Sequence, residues 1–424
     1  MNFFVNTILW IAYVVSLYFS VFLFLIYMDK KEFFKTEKSS LNPKGKPIVT
    51  VIIPAYNEER TVLKTMRSAY NLEYPKEKLE IIVINDGSKD NTQQIIEDYI
   101  KDKPNFRLIS QKNMGKAASM NKAIKIAKGE FFACLDADSF VDPKTLLKML
   151  SLYYEKDNQN LAIITPAMKV HKPKNLLQKV QWLEYLVIIL ISRLSSHLDS
   201  LYVAPGPFSL YKTSIIKKIG GFDETSIVED QEIAYRVQKK DYQITQCFDG
   251  YVYTTAPKNL MPFYRQRRRW YLGSIICVKK YKNMIANRKY GDFGMMQMVK
   301  NVVGYILAIT GITVAIYLVI LPLLRRIKSM FLVKFDLMPY LLSLKFQPKL
   351  INFLLTDFKM GFLVIFIFAV GFFLFYKAHQ NANERIIKWG FIPLIPYFAF
   401  YYLLKGIILL LSLFEFTRGR KLKW

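Results

Sequence analysis

Residues 130–143 read EFFACLDADSFVDP. An apolar run of strand character ends here in two aspartates. Side chains at i and i+2 of an extended chain point the same way, so Asp136 and Asp138 offer two carboxylates together where a strand leaves its sheet. Like charges so placed are costly unless a cation neutralises them. Hard divalent ions prefer such oxygen ligands, with phosphate oxygens completing the shell. A lone Asp-x-Asp is a weak signal, so the flanking sequence has to supply the context.

The same layout recurs upstream. In VTVIIPAYNEE (49–59) a strand ends at Pro54, and Tyr56, Asn57 and Glu58 follow in the turn before a helix. That turn is either a simple helix cap or a face for a nucleotide base, with an aromatic to stack and a carboxylate to accept an N–H. In VINDGSKDNT (83–92) Asp86 stands at a strand end, Gly87 and Ser88 turn, and Asp90 begins a helix; an Asp-Gly turn with an Asp cap would look alike. Between these runs lie the amphipathic stretches EERTVLKTMRSAYNL (58–72), DNTQQIIEDYIKD (90–102) and KAASMNKAIKIAKG (116–129). From about residue 47 to 260, the alternation of strands and helices predicts a mostly parallel α/β sheet of nucleotide-binding character. Ligands of such sheets sit at the carboxyl ends of the strands, where all three acidic clusters fall.

Further blocks fit that site. NMGKAASMNKA (113–123) places Lys116 behind a glycine at a helix start, a position suited to phosphate, although a surface lysine would look the same. VAPGPFSLYK (203–212) is a tight loop or the lining of a sugar pocket. In IVEDQEIAYRVQKK (227–240), Glu229 and Asp230 precede a helix. They are either an acid pair favoured by the helix dipole or the source of a general base beside a reacting hydroxyl.

The chain has 424 residues, 52% of them hydrophobic and 15% aromatic, which indicates a protein part membrane and part globular. A net charge of +27 implies an anionic partner. Cys134, Cys247 and Cys277 are scattered without CxxC spacing, which argues against a disulfide framework and a thiolate zinc site and suits a reducing compartment. His171, His197 and His379 are isolated and read as packing or surface residues. No zinc finger or aromatic RNA-binding signature supports nucleic acid as a partner.

Residues 3–28 are uncharged and long enough to span a bilayer. The run lacks a basic n-region and a small-residue cleavage site, unlike a signal peptide. DKKEFFKTEK follows at once and predicts a cytoplasmic location from residue 29 onward. Apolar runs return at 302–324, 360–376 and 389–414. The stretch 329–358 is interrupted by Lys334, Asp336, Pro339, Lys345 and Pro348 and reads as interfacial or re-entrant. The expected organisation is a membrane helix (1–28), a cytoplasmic catalytic domain (29–260), interfacial amphipathic helices (261–298) and a membrane bundle (299–424). That bundle has three crossings, or four if the interrupted stretch also crosses. RQRRRWYLG (265–273) opens a segment from Pro262 to Tyr290 with nine Lys or Arg and no acid. A helix lying on anionic lipid would look like this, which leaves Arg269 and Trp270 free for a second role.

In this order the blocks VIIPAYNEE, INDGSKDNT, GKAASMN, DADS, PGPFSLYK, VEDQEIAYRV and QRRRW resemble the family 2 glycosyltransferases. The resemblance is to their membrane-embedded processive branch of hyaluronan, chitin, cellulose and poly-N-acetylglucosamine synthases. It covers roughly residues 48–275 and implies a GT-A fold and an inverting, metal-dependent hexosyltransferase. By resemblance, Ala55, Tyr56, Glu58 and Asp86 contact uridine, Lys116 approaches the diphosphate, and Asp136 contacts the nucleotide. Asp138 holds Mg²⁺ or Mn²⁺, and Asp230, with Glu229 beside it, is the base. Gln266, Arg269 and Trp270 match the family's Q-x-x-R-W motif, which puts the arginine near the diphosphate and the tryptophan near the acceptor sugar. Val228 replaces the threonine that precedes the family's acid pair, and Pro205 replaces the serine of its Ser-Gly-Pro loop. The implied donor is a UDP-sugar, with a lean to UDP-N-acetylglucosamine, and the implied acceptor is a growing β-linked polysaccharide extruded across the cell membrane. An accessory subunit is left open. The alternative is transfer of one sugar to a membrane lipid; a catalytically dead scaffold would not need acids in all three blocks.

Overall fold

The computed structural model describes residues 3–31, 41–43, 45–332 and 358–418. The expected interfacial or re-entrant stretch 329–358 and the C-terminal RGRKLKW (418–424) lie largely outside these residues. β1 (Val49–Ala55), β2 (Leu79–Asn85), β3 (Phe106–Ser110) and β4 (Phe131–Cys134) form a parallel block in the order β3-β2-β1-β4. The sheet continues through β7 (Leu210–Lys212), β6 (Leu161–Val170), β8 (Gln243–Thr254) and β5 (Phe140–Val141). β7 runs antiparallel to both β4 and β6, β8 is parallel to β6, and β5 is antiparallel to β8.

The sheet is mostly parallel as expected, four of its seven strand pairings among the described residues being parallel, but β7 makes it mixed. The cause lies in the loop before β7. It folds back over the end of β4, where the Phe208 N–H donates to the Cys134 carbonyl at 2.5 Å, so the chain enters the sheet from the opposite end.

β1, β2 and β4 are buried on both faces, whereas β3 at the edge is not, and the period of two divides their side chains. Val49, Val51 and Ile53 face α2 (Val62–Tyr70), α3 (Thr92–Ile100) and α5 (Thr145–Lys156). Ile52, Ile82 and Phe132 face α4 (Lys116–Ile126), α7 (Thr213–Lys218) and α8 (Glu229–Lys239). This three-layer sandwich explains why the strands read as continuous apolar runs.

α6 (Leu176–His197) and α9 (Leu260–Lys280) connect this domain to the apolar helices. Among the described residues four helices are long and apolar enough to cross a membrane: Asn6–Asp29 within α1 (Phe3–Asp29), α10 (Phe293–Ala315), Gly361–Asn381 within α12 (Phe358–Asn381) and α13 (Leu394–Thr417). α11 (Leu321–Leu332) continues beyond α10. α10 starts nearer the domain than the apolar run from 302 suggested. Its polar start is absorbed by the domain: Gln297 donates to Asn301 at 2.8 Å, and Asn301 donates to the Tyr235 hydroxyl on α8 at 2.8 Å. α12 ends against the sheet, where Lys169 of β6 donates to the Ala382 carbonyl at 2.7 Å and lies 3.9 Å from the Tyr251 ring centroid.

Candidate active site

A cleft of about 300 Å³ opens at the carboxyl ends of β1, β2 and β4, the position that the sheet topology favours for ligands. Ala55, Tyr56 and Glu58 wall it from the β1 end, Asp86 from β2, Asp136 and Asp138 from β4, Lys116 and Ser119 from α4, and Arg269 from α9. Five segments far apart in the chain thus meet at one sheet edge, the start of α4 and the middle of α9.

The turns after β1 and β2 are stitched together. Asn57 takes a left-handed conformation at φ 55°. Its N–H donates to Ser88 Oγ at 3.0 Å, and its side-chain oxygen accepts from the Lys89 N–H at 2.8 Å. The Glu58 N–H donates to Thr92 Oγ1 at 2.8 Å, and the Thr61 hydroxyl donates to the Glu58 carboxylate. Asp86 is committed to shaping the site: its carboxylate accepts from Gln111 at 2.8 Å and from the N–H groups of Met114 and Gly115 at 2.9 and 2.8 Å. These bonds hold the loop that delivers Lys116. Gly115, at φ 89°, makes the turn into α4.

Lys116 is the electrostatic centre. Its ammonium lies 2.5 Å from Asp136 Oδ1 and 2.9 Å from Glu229 Oε1. Burial works against the lysine's charge, yet Asp136 and Glu229 outweigh it and raise the group well above its usual range. Gly206 packs on this pair, since a Cβ there would stand 2.5 Å from Lys116 Nζ and 2.9 Å from Asp136 Oδ2. The Pro-Gly-Pro loop therefore belongs to the site, although the sequence alone left its role open.

Strand β4 ends at Cys134, so Asp136 and Asp138 occupy the following turn, yet both still face the cleft. Asp138 stands at the accessible mouth. The cleft walls withdraw part of its water and Asp136 adds like charge, which together raise its carboxyl to about 6. Among the described residues no group of three or more His, Cys, Asp or Glu converges as metal ligands. A divalent cation would fit at Asp138 with non-protein oxygens completing its shell, and it would relieve the repulsion that raises this carboxyl.

Glu229 and Asp230 fall in the first turn of α8. Burial raises the Asp230 carboxyl and neighbouring Glu229 adds to the effect, so that it reaches about 6 against the pull of Lys116 and Arg269. α8 is held against α9: Gln231 donates to Ser274 Oγ at 3.0 Å, and Glu232 accepts from Lys280 at 2.8 Å and from the Tyr281 hydroxyl at 2.7 Å.

Gln266, Arg269 and Trp270 are at i, i+3 and i+4 on α9 and share one face. Arg269 lines the cleft. Gln266 and Trp270 are not among its lining residues; Gln266 Oε1 is buried with no hydrogen-bond partner among the described residues, and Trp270 packs partly against α6 and α13. Arg267 leaves the cleft for Glu184, with its guanidinium against the Trp270 ring, and Arg268 turns to Glu415. Gly206, Gln111, Ser119 and Glu184 were not singled out from the sequence. Gly206 and Ser119 lay inside noticed motifs, whereas Gln111 and Glu184 act through long-range contacts that carry no local signal.

A mixed sheet with an acid-rimmed cleft at its strand ends is the architecture of a GT-A glycosyltransferase. Residues 50–220 match the family model "Glycosyl transferase family 2", and the domain belongs to that family. A poly-β-1,6-N-acetyl-D-glucosamine synthase of Staphylococcus epidermidis (strain RP62A) is 34% identical over 227 residues, 53% of this chain and 54% of that protein. A second, from Staphylococcus epidermidis, is 27% identical over 376 residues, 88% of this chain and 84% of that protein. A third, from Staphylococcus aureus (strain COL), is 30% identical over 273 residues, covering 64% and 65%. The first alignment thus spans about half of the relative's length. Among solved structures, a mannosyltransferase of Pyrobaculum calidifontis in complex with GDP-Man and Mn²⁺ shares the fold at TM-score 0.56 and 19% identity, over 73% of this chain and 86% of that one.

Proposed function

We propose that this chain is an inverting, processive synthase that transfers N-acetylglucosamine from UDP-N-acetylglucosamine to a growing β-linked polysaccharide. The cleft uniting Lys116, Asp136, Asp138 and Arg269 with the neighbouring acid pair Glu229–Asp230 carries the reading. The sugar and the polymer are inferred from this chain's likeness to the staphylococcal poly-β-1,6-N-acetyl-D-glucosamine synthases. We further place the chain in the cell membrane, multi-pass, with its catalytic domain in the cytoplasm, on the strength of its apolar helices.

In this reading Ala55, Tyr56, Glu58 and Asp86 form the nucleoside end of the cleft, with Tyr56 the exposed aromatic available for stacking on the base. Lys116 and Arg269 attract the diphosphate, whose oxygens compete with Asp136 and Glu229 for the lysine. Asp138 would hold Mg²⁺ or Mn²⁺, which when bound neutralises charge on the diphosphate. The acceptor hydroxyl oxygen bonds to the anomeric carbon from the face opposite UDP. The bond to the UDP oxygen breaks, and the hydroxyl proton passes to Asp230. The anomeric configuration inverts in this single displacement. Preformed cations at the leaving group supply stabilisation that water would have to reorganise to give. By the family resemblance Trp270 serves the acceptor sugar, on the face of α9 that Gln266 and Arg269 share.

Donor consumption in lipid nanodiscs tests the reading. UDP-N-acetylglucosamine, UDP-glucose, UDP-galactose and UDP-glucuronate are offered separately with Mn²⁺ or Mg²⁺, and the product is sized. A high polymer from UDP-N-acetylglucosamine supports it. A single sugar on an extractable lipid, or a polymer from another donor alone, overturns it.

A further inference from the structure

Arg267 lies in the middle of the QRRRW run but is buried away from the cleft. It stands 2.5 Å from Glu184 Oε2 on α6, and its guanidinium lies 4.2 Å from the centroid of the Trp270 ring. The same Glu184 carboxylate accepts from Lys405 Nζ at 2.5 Å and from the Tyr401 hydroxyl at 2.7 Å, both on α13. Burial alone would raise the Glu184 carboxyl, but Arg267 and Lys405 outweigh it and hold the group at about 2. One residue further on, Arg268 Nε donates to both oxygens of Glu415 at 3.0 and 2.7 Å. α9 is thereby clamped to α13 at two points.

Holding helices together does not call for this arrangement. Well-packed apolar residues do so at least as well, because a buried ion pair seldom recovers its desolvation cost. A buried carboxylate does give a guanidinium a fixed direction, and a desolvated guanidinium over an indole fixes the face of that ring. Arg267 and Trp270, three residues apart, are neighbours on the helix surface.

We propose that Glu184 and Arg267 are positioning residues for the acceptor side of the site: the carboxylate orients the guanidinium, and the guanidinium sets the plane of Trp270. The proposal rests on the reading of Trp270 as the acceptor contact. Lys405 and Tyr401 bring α13 into the same unit, so the acceptor platform and the last apolar helix move together.

The test compares wild type, Glu184→Gln and Glu184→Gln/Arg267→Gln in nanodiscs with UDP-N-acetylglucosamine and a soluble N-acetylglucosamine oligosaccharide as acceptor. Misplacing a substrate contact by about 1 Å costs about 100-fold in rate, so kcat/KM for the acceptor falls on that order in Glu184→Gln while the donor KM stays at the wild-type value. The Glu184→Gln change also alters tryptophan emission, and the alteration disappears in a Trp270→Phe background. Wild-type acceptor efficiency in folded Glu184→Gln, or equal damage to donor and acceptor KM, overturns the proposal. Should the single variant fail to fold because Arg267 is left buried without its partner, the double variant decides: an acceptor-specific loss supports the proposal and wild-type efficiency overturns it. If the wild type extends no acceptor, the functional reading fails, and the emission measurement still decides the clamp. A Trp270-dependent change supports it, and none overturns it.

Discussion

The Lys116 ammonium sits 2.5 Å from Asp136 Oδ1, and this pair rests directly on Gly206. The cation that the proposed mechanism offers to a diphosphate is thus held in place by an acid before any donor arrives. A methyl group at 206 would collide with both partners. Gly206→Ala should displace Lys116 and lower kcat/KM for the donor by about 100-fold, with little change in thermal unfolding because the loop faces the cleft. Unchanged donor kinetics would show that Lys116 has no part in binding.

Asp230 is the proposed base. Asp230→Asn keeps the size of the side chain and removes its ability to take a proton, so turnover should fall by about 10²–10⁴-fold. UDP binding, followed by calorimetry, should persist. Near-wild-type turnover would remove Asp230 from that role.

The raised Asp230 carboxyl sets a pH dependence. A base works ionised, so kcat at saturating metal should rise with pH through about 6 and then level off. Stability has the opposite sign: the folded state binds this proton more tightly than the unfolded chain does. That contribution is present below the usual 3.8, shrinks as pH rises and is lost through about 6. Burial is the first cause of the shift and Glu229 the second, so Glu229→Gln should move the midpoint of the rate profile to lower pH. A midpoint that stays in place would mean a different group is titrating.

Asp138→Asn should abolish stimulation by Mg²⁺ or Mn²⁺ while leaving the fold intact, because this side chain stands at the open mouth and its one hydrogen bond in the described structure, from Ser139 Oγ at 2.9 Å, can be kept by the amide oxygen. Chelation of the wild type should reproduce the loss, with recovery on readdition of metal. Metal titration against rate measures both; equal stimulation of variant and wild type would remove Asp138 as a ligand.

Gly273 closes the RQRRRWYLG segment where α9 crosses the start of α8, and a Cβ there would stand 2.5 Å from both methyl carbons of Val228. Gly273→Ala should push α9 from the acid pair and destabilise the domain by about 1–3 kcal/mol. Thermal unfolding reads the stability, and transfer rate reads the displacement of Arg269 from Asp230. A stability equal to wild type would mean the two helices can part at no cost.

The sequence by itself determined the strand ends and their acids. Two-faced burial makes β1, β2 and β4 short apolar runs, and a polar cluster must follow each where the chain leaves the sheet. These are local consequences of hydrogen bonding and hydrophobicity, so VIIPAY, VIND and FFACLDAD could be read in isolation. Local rules also placed Lys116 behind Gly115 and the acid pair at the start of α8. Tertiary structure alone decided the direction of β7, because the return of the 203–209 loop over Cys134 sets it. It alone divided three adjacent arginines into different tasks: Arg267 and Arg268 to Glu184 and Glu415, which lie 83 and 147 residues away in the chain, and Arg269 to the cleft. Partners at such separations leave no periodic trace. Whether a charge anchors, orients or binds depends on which face of the helix the rest of the fold covers.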